Sequence, residues 1–396
     1  MKKFLSVIFS FLLSLFVCIS ASAESGNVLT FGDDGKFVIL QISDPQDDQN
    51  PSADMIELIK LSIEKTDPDL IVFTGDIVED AMENEIVADG EIGEGVVIEG
   101  DYEQTLKNVK SVCDAVFSLA ENEDIPFAVA MGNNDYKCGV TAEDWLKIFA
   151  GYENCLVKDE SPDSGSRIDY NLEIKSDDGK TAFNIWVADS GQDEITPEQI
   201  EWYKKESDAL KSANGGEAVP SIWFQHIQTA DIGNLFEKCD SYNIGAMKMF
   251  NKYYRLNPHI ASGYFTEIRM PGHTSDVFKA WKSQGDVSGA YFGHMHTEGY
   301  TGIYDGIELG YTYGCQFAKE GPYGMRVFKI CEDDVKDYDS DLYTYEGSVK
   351  KGNARLRLSE GYSNPTIESV RTVFEYIIKT VTVFTVVKVI LNFICK

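Results

Sequence analysis

Five short stretches of this chain carry side chains suited to holding cations: Asp44-Pro45-Gln46, Gly75-Asp76, Gly132-Asn133-Asn134-Asp135, His226 and Gly293-His294-Met295-His296. Carboxylate oxygens suit hard cations, whereas imidazole nitrogens suit Zn, Fe or Mn. One carboxylate can offer an oxygen to each of two ions, and Asp76 is the natural bridge. Asp44, Gln46 and His296 then complete one coordination shell; Asn133, His226 and His294 complete the other. His294 and His296 alternate, so a segment that leaves a strand and turns can send each ring to a different ion. Asp135 reads as an orienter of these groups rather than a ligand. Two cations roughly 3.5–4 Å apart activate a bridging hydroxide and clamp both ends of an in-line phosphoryl transfer.

Each stretch follows a short run rich in β-branched, aromatic or aliphatic residues, at 37–42, 70–73, 127–130, 222–224 and 290–292. Buried strands that release Asp, Asn or His at their carboxyl ends describe one site on a sheet edge. A lone His is usually a core or surface residue, and His259 and His273 read that way. His226 differs because it follows Ile222-Trp223-Phe224 in order among the other stretches. Ser52 caps a helix bearing Met55, Ile56, Ile59, Leu61 and Ile63, which Asp67-Pro68-Asp69 ends. The resulting β-α-β unit requires parallel strands and a right-handed crossover. A helix over 104–120 leads into the third strand, and Thr141 caps another over 142–150. Strands are expected at 168–174 and 182–188. Thr196-Pro197-Glu198-Gln199 carries the N-cap, the proline and the acidic first turn that open a helix. Residues 79–103 read as an acidic, Gly-rich surface insertion, and 229–270 as an irregular, aromatic excursion on the substrate side. Strands near 307–313 and 325–331 are expected to close the second sheet.

At 396 residues, 43% hydrophobic and 12% aromatic, the chain can bury a large core and is not a disordered polymer. A formal charge of −30 opposes binding to a nucleic-acid scaffold, which needs a basic face. Lys2-Lys3, an apolar run to about Ile19 and Ala21-Ser22-Ala23 read as a signal peptide over residues 1–23. The expectation is therefore a secreted or extracytoplasmic protein, with a catalytic domain over 24–350. Cys18 leaves with the signal. Cys113, Cys138, Cys155, Cys239, Cys315, Cys331 and Cys395 match no zinc-ribbon spacing, and an oxidising compartment permits disulfides among them. Residues 351–396 form a linker and a hydrophobic tail. Within 373–395 the only charges are Glu375, Lys379 and Lys388. A central lysine costs a spanning helix roughly 2.5–3.5 kcal/mol, so the tail is a poor span; membrane contact and simple packing stay as alternatives.

The ordered set resembles the calcineurin-like metallophosphoesterase superfamily, whose segments run D-x-H, G-D-x-x, G-N-H-D, a lone H and G-H-x-H. The resemblance covers roughly residues 36–330. Asp189-Ser190-Gly191 with Pro197-Glu198-Gln199-Ile200-Glu201-Trp202-Tyr203, and Tyr304-Asp305-Gly306-Ile307 after the His pair, are similar to its purple-acid-phosphatase-like branch. It implies an α/β fold, a four-layer α-β-β-α sandwich of two mixed sheets. It also implies two divalent or trivalent ions (Fe, Zn or Mn), a small phosphorylated substrate and hydrolysis of phosphate monoesters. Three positions depart from the pattern. Gln46 replaces a His ligand, and its amide oxygen is a weaker donor. Asn134, the expected phosphate-positioning residue, replaces a His proposed to help protonate the leaving group, which lowers the expected rate on poor leaving groups. Glu79 stands where purple acid phosphatases carry their iron-binding Tyr. A phosphodiesterase acting on nucleotide or lipid-headgroup substrates, and a metal- or phosphate-binding pseudoenzyme, are the alternatives. Deleting residues 366–396 should move the protein from membrane to soluble fractions if the tail anchors it; unchanged fractionation rejects that role.

Overall fold

The computed structural model describes residues 28–79, 85–87, 98–100, 102–160, 167–249, 251–271 and 274–359. The expected signal over 1–23, most of the 79–103 insertion, His273 and the hydrophobic tail lie outside the described residues. Strand β1 (Leu29–Thr30) precedes β2 (Lys36–Ile42), helix α1 (Ala53–Thr66) and β3 (Leu70–Phe73). Asp67 ends α1 in a left-handed conformation, its N–H donating to Ile63 O, as expected just before a proline. Ser52 sits at the N-cap without a side-chain cap bond; its own N–H donates to Asp47 Oδ2 at 2.7 Å.

Helix α2 (Tyr102–Glu121) then leads to β4 (Phe127–Val129), α3 (Asn133–Lys137) and α4 (Ala142–Phe149). The Thr141 side chain accepts from Asp144 N, capping α4 as expected. Strands β5 (Tyr170–Lys175) and β6 (Thr181–Ala188) form a hairpin, followed by α5 (Pro197–Ala213) and β7 (Ser221–Gln225). Thr196 and Gln199 make the reciprocal capping box that their spacing predicts. After β8 (Ala261–Tyr264) come α6 (Val277–Gln284), β9 (Val287–Phe292), β10 (Gly299–Tyr304) and β11 (Ile307–Tyr311). The chain closes with β12 (Tyr323–Cys331), β13 (Asp334–Glu346) and β14 (Arg355–Leu358).

Two mixed sheets result. The six-stranded one runs β14-β13-β12-β2-β3-β4, and the eight-stranded one runs β1-β5-β6-β7-β9-β11-β10-β8. Three expectations need correction. Residues 325–331 do not close the second sheet: β12 lies antiparallel to β2, from Arg326 opposite Gln41 to Cys331 opposite Lys36, and satisfies the open edge of the first. Residues 229–270 are not irregular, because Phe236–Cys239, Met247–Met249 and Lys252–Leu256 make a small antiparallel sheet and β8 pairs with β10. The first sheet also runs on through β14, past residue 350. Cys113, Cys155, Cys315 and Cys331 stand as thiols, not disulfides.

The sheets meet face to face. Phe328 on β12 packs its ring 5.4 Å from Phe224 on β7 and 4.5 Å from Tyr291 on β9. Buried Arg326 donates to Tyr311 O at 2.8 Å, and Gln41 accepts from Thr312 Oγ1 at 2.6 Å, so polar bridges also cross this layer. On the outer face of the six-stranded sheet, Phe117 of α2 stacks on Phe127 at 4.8 Å. On the opposite outer face Trp186 and Trp223 pack against Tyr203 of α5 and Trp281 of α6. The helix, sheet, sheet, helix order is the expected four-layer arrangement. Removing the ring that joins the two sheets, by Phe328→Ala, should cost about 3–5 kcal/mol. A lowered denaturant midpoint at unchanged m-value checks it; no change would show that Phe328 does not tie the layers.

Candidate metal centre

The candidate ligands stand on two sheets, not on one sheet edge. Asp44, Asp76 and Asn133 follow the parallel strands β2, β3 and β4; His226 and His294 follow the parallel strands β7 and β9. The loops continue the ladders past the strand ends: Asp44 N donates to Gly75 O, Gln46 N to Asp76 O, and Gly293 N to His226 O. Such close crossing requires glycine. A Cβ on Gly132 would lie 2.1 Å from Asp76 N, and one on Gly75, at φ +83°, would lie 2.7 Å from Gly132 Cα. Asp44, Gln46, Asp76 and His294 all hold positive φ, a conformation that costs a side-chain-bearing residue energy and concentrates at functional sites.

Two clusters form, and Asp76 belongs to both. Asp76, His226 and His294 offer ligand atoms within 4.8 Å of one another, as do Asp44, Asp76 and His296. His226 Nε2 lies 3.2 Å from Asp76 Oδ2, and His296 Nε2 lies 3.4 Å from Asp44 Oδ1. His226 Nδ1 donates to Thr74 O at 2.8 Å, which aims Nε2 inward, the way a metal-bound imidazole is oriented. Gln46 Oε1 is buried with no hydrogen-bond donor, while its Nε2 points at Glu79 Oε2, 3.4 Å away. The Asn133 amide faces both His226 Nε2 at 3.1 Å and His294 Nδ1 at 2.9 Å. With its oxygen on that side, three lone pairs converge, and a cation among them satisfies all three. An acceptor-only set of two carboxylates, three imidazoles and two amide oxygens fits a pair of cations.

The model of the calcineurin-like phosphoesterases matches residues 37–298. The chain belongs to that family. Over 358 residues it is 25% identical to a protein named probable inactive purple acid phosphatase 14 of Arabidopsis thaliana, covering 78% of this chain and 79% of that one. It is 26% identical over 337 residues to probable inactive purple acid phosphatase 29 of the same plant, covering 75% and 76%. Its fold can be superposed on a dimetal phosphatase from Danio rerio with a TM-score of 0.44 at 10% identity, covering 78% of this chain and 95% of that structure.

In this member of the family the G-N-N-D segment opens α3. Asp135 is fully buried and ties loops together: it accepts from Gly132 N at 2.8 Å, Ile77 N at 2.7 Å and Val78 N at 3.2 Å. It is thus a positioning group, and burial with the Asp76 charge pushes it up to about 7. Asn134 N and Nδ2 both donate to Asp76, at 2.7 and 2.9 Å, so that side chain supports the central carboxylate. Residues without any sequence signal complete the surroundings. Gln316 Nε2 donates to Glu79 Oε1 at 2.7 Å, Gln192 Nε2 to Asn133 O at 3.0 Å, and Lys137 Nζ to Asn134 Oδ1 at 3.1 Å. His259 is exposed and takes no part.

Burial alone would depress His226, but the adjoining Asp76 and Asp44 carboxylates outweigh it and hold the ring at about 9. His294, half-buried beside His226, falls to about 4 because desolvation disfavours its charged form. Since the His226 value exceeds its ordinary 6.5, its proton stabilises chelated protein fully below pH 6.5, and that contribution fades as pH rises through about 9. A cation at this site must displace the proton, so affinity should climb with pH toward 9. Calorimetric Mn²⁺ titration of chelated protein at pH 7, in two buffers of different ionisation enthalpy, should reveal proton release. Identical heats in both buffers would contradict the assignment.

Proposed function

We propose that this chain is an exported, dinuclear-metal-dependent phosphoesterase acting on small phosphate monoesters. The observation that carries the reading is the Asp76 carboxylate, shared by two clusters of ligand atoms. Asp44, Gln46, Asp76 and His296 would hold one ion; Asp76, Asn133, His226 and His294 would hold the other. When bound, such ions supply Lewis-acid activation of water and neutralise charge on the phosphoryl group. The protein's own part is orientation. Thr74 O fixes the His226 tautomer, Asn134 and His294 N–H groups steady the two carboxylates, and Glu79 turns Gln46. The monoester preference rests on the likeness to the purple-acid-phosphatase branch, and export on Lys2-Lys3 with Ala21-Ser22-Ala23. The substrate, a small phosphorylated molecule, and the choice among Fe, Zn and Mn belong to this proposal too.

Asn134 favours a second reading. A neutral amide does not deliver a proton at ordinary pH, and this one already donates to Asp76. The chain would then be a slow enzyme or a phosphate-binding pseudoenzyme, in line with the word inactive in its plant relatives' names. Purified protein loaded with Mn²⁺, Zn²⁺ or Fe²⁺ should hydrolyse aryl phosphate monoesters faster than diesters, and Asp76→Asn should abolish turnover. Turnover that survives Asp76→Asn rejects the metal reading, faster diester cleavage selects the phosphodiesterase, and two bound ions without turnover select the pseudoenzyme. Asn134→His should raise rates on poor leaving groups, up to the ~10²–10⁴-fold typical of general acid help. No gain on any leaving group would remove that argument.

A further inference from the structure

Lys137 closes α3 and brings a positive charge to the edge of the metal centre. Its Nζ lies 3.1 Å from Asn134 Oδ1, a neutral partner. Among the described residues no carboxylate pairs with Lys137, although the chain holds 65 acidic residues against 35 Lys and Arg. Arg269, whose charge also reaches His294, is instead engaged with Glu267 at 3.0 Å. An ammonium group has three donors and no acceptor, so amide contacts leave both hydrogen-bonding capacity and charge available. Asn134, by contrast, brings no charge, and its amide nitrogen donates to Asp76.

We propose that Lys137 is the anion-recognising residue of this centre, its ammonium group contacting a non-bridging oxygen of a phosphate held beside Asp76. The inference depends on the phosphoesterase reading for its bearing on turnover, but phosphate recognition can be measured apart from it. A point charge at this position discriminates by anion charge: a monoester or inorganic phosphate, near −2 at neutral pH, gains more than a singly charged diester. Lys137 thereby supplies part of what the Asn at 134 lacks.

The test compares purified, Mn²⁺-loaded wild-type protein with Lys137→Met and Lys137→Arg. Metal content, inorganic phosphate affinity by calorimetry, and kcat and KM on an aryl phosphate monoester are measured for each. Lys137→Met should keep both ions, weaken phosphate binding about 10–100-fold, as expected for a lost charged hydrogen bond, and raise KM, with Lys137→Arg recovering most of the loss. Unchanged phosphate affinity in Lys137→Met overturns the inference, as does loss of metal from that variant, which would make Lys137 a support for Asn134. Phosphate binding absent from the wild type overturns it too. Wild-type protein that turns nothing over, yet binds phosphate in a Lys137-dependent way, sinks the monoesterase reading and leaves this inference standing.

Discussion

Two buried carboxylates that cannot both be left alone set the terms for this structure. Asp44 is wholly buried, Asp76 is 1% exposed, and an oxygen of each lies within 4.8 Å of the other. Two negative charges at that separation repel by about 3–4 kcal/mol at an effective dielectric constant of about 20, in addition to the cost of desolvating each. Among the described residues no Lys or Arg pairs with either. The compensation comes from imidazoles and from peptide N–H groups: His226 and His296 beside the carboxylates, Asn134 N on Asp76, His294 N on Asp44. Imidazole is the one side chain that can answer such charge as a cation or yield its lone pair to a metal near neutral pH. Such a set of groups can trade protons for metal ions.

Holding that arrangement demands a rigid base and contorted loops. The base is the pair of sheets, joined by Phe328 against Phe224 and Tyr291 and by buried Arg326 reaching Tyr311 O. The contortion is confined to the strand ends, where Asp44, Gln46, Asp76 and His294 take left-handed backbones and Gly75 meets Gly132 with no room for a Cβ. Asp135 secures the crossing by gathering three backbone N–H groups. Strain is thus stored where ligand direction matters and balanced by packing where it does not.

The periphery is where this member of the family is individual. Gln46, Glu79 and Gln316 form a hydrogen-bonded belt around one cluster, which turns an amide oxygen inward where the family pattern has an imidazole. An amide oxygen is a harder and weaker donor than imidazole. On the other side Asn134 puts a neutral amide where the family pattern has a titratable ring, and Lys137 brings one fixed charge against it. Both changes leave the central carboxylates untouched and alter what surrounds them.

Much of this was legible in the residue order. Ligand types, their succession and the apolar runs before them require no long-range knowledge, because a buried strand and the polar residue that ends it are neighbours in sequence. Caps such as Thr141 and the Thr196–Gln199 box are likewise local. The assignment of β12 to the first sheet was not, since which strand covers the open edge of β2 depends on pairing across nearly the whole chain. Nor was the division of the site between two sheets, or the strands hidden in the 229–270 region, where aromatic and charged residues alternate without a strong period. Sequence by itself named the groups able to hold cations. Only the tertiary structure decided that Gln46 is turned by Glu79, that Asn134 serves Asp76, and that Lys137 meets no carboxylate among the described residues, because the first two contacts join side chains far apart in sequence and the third depends on what surrounds the helix.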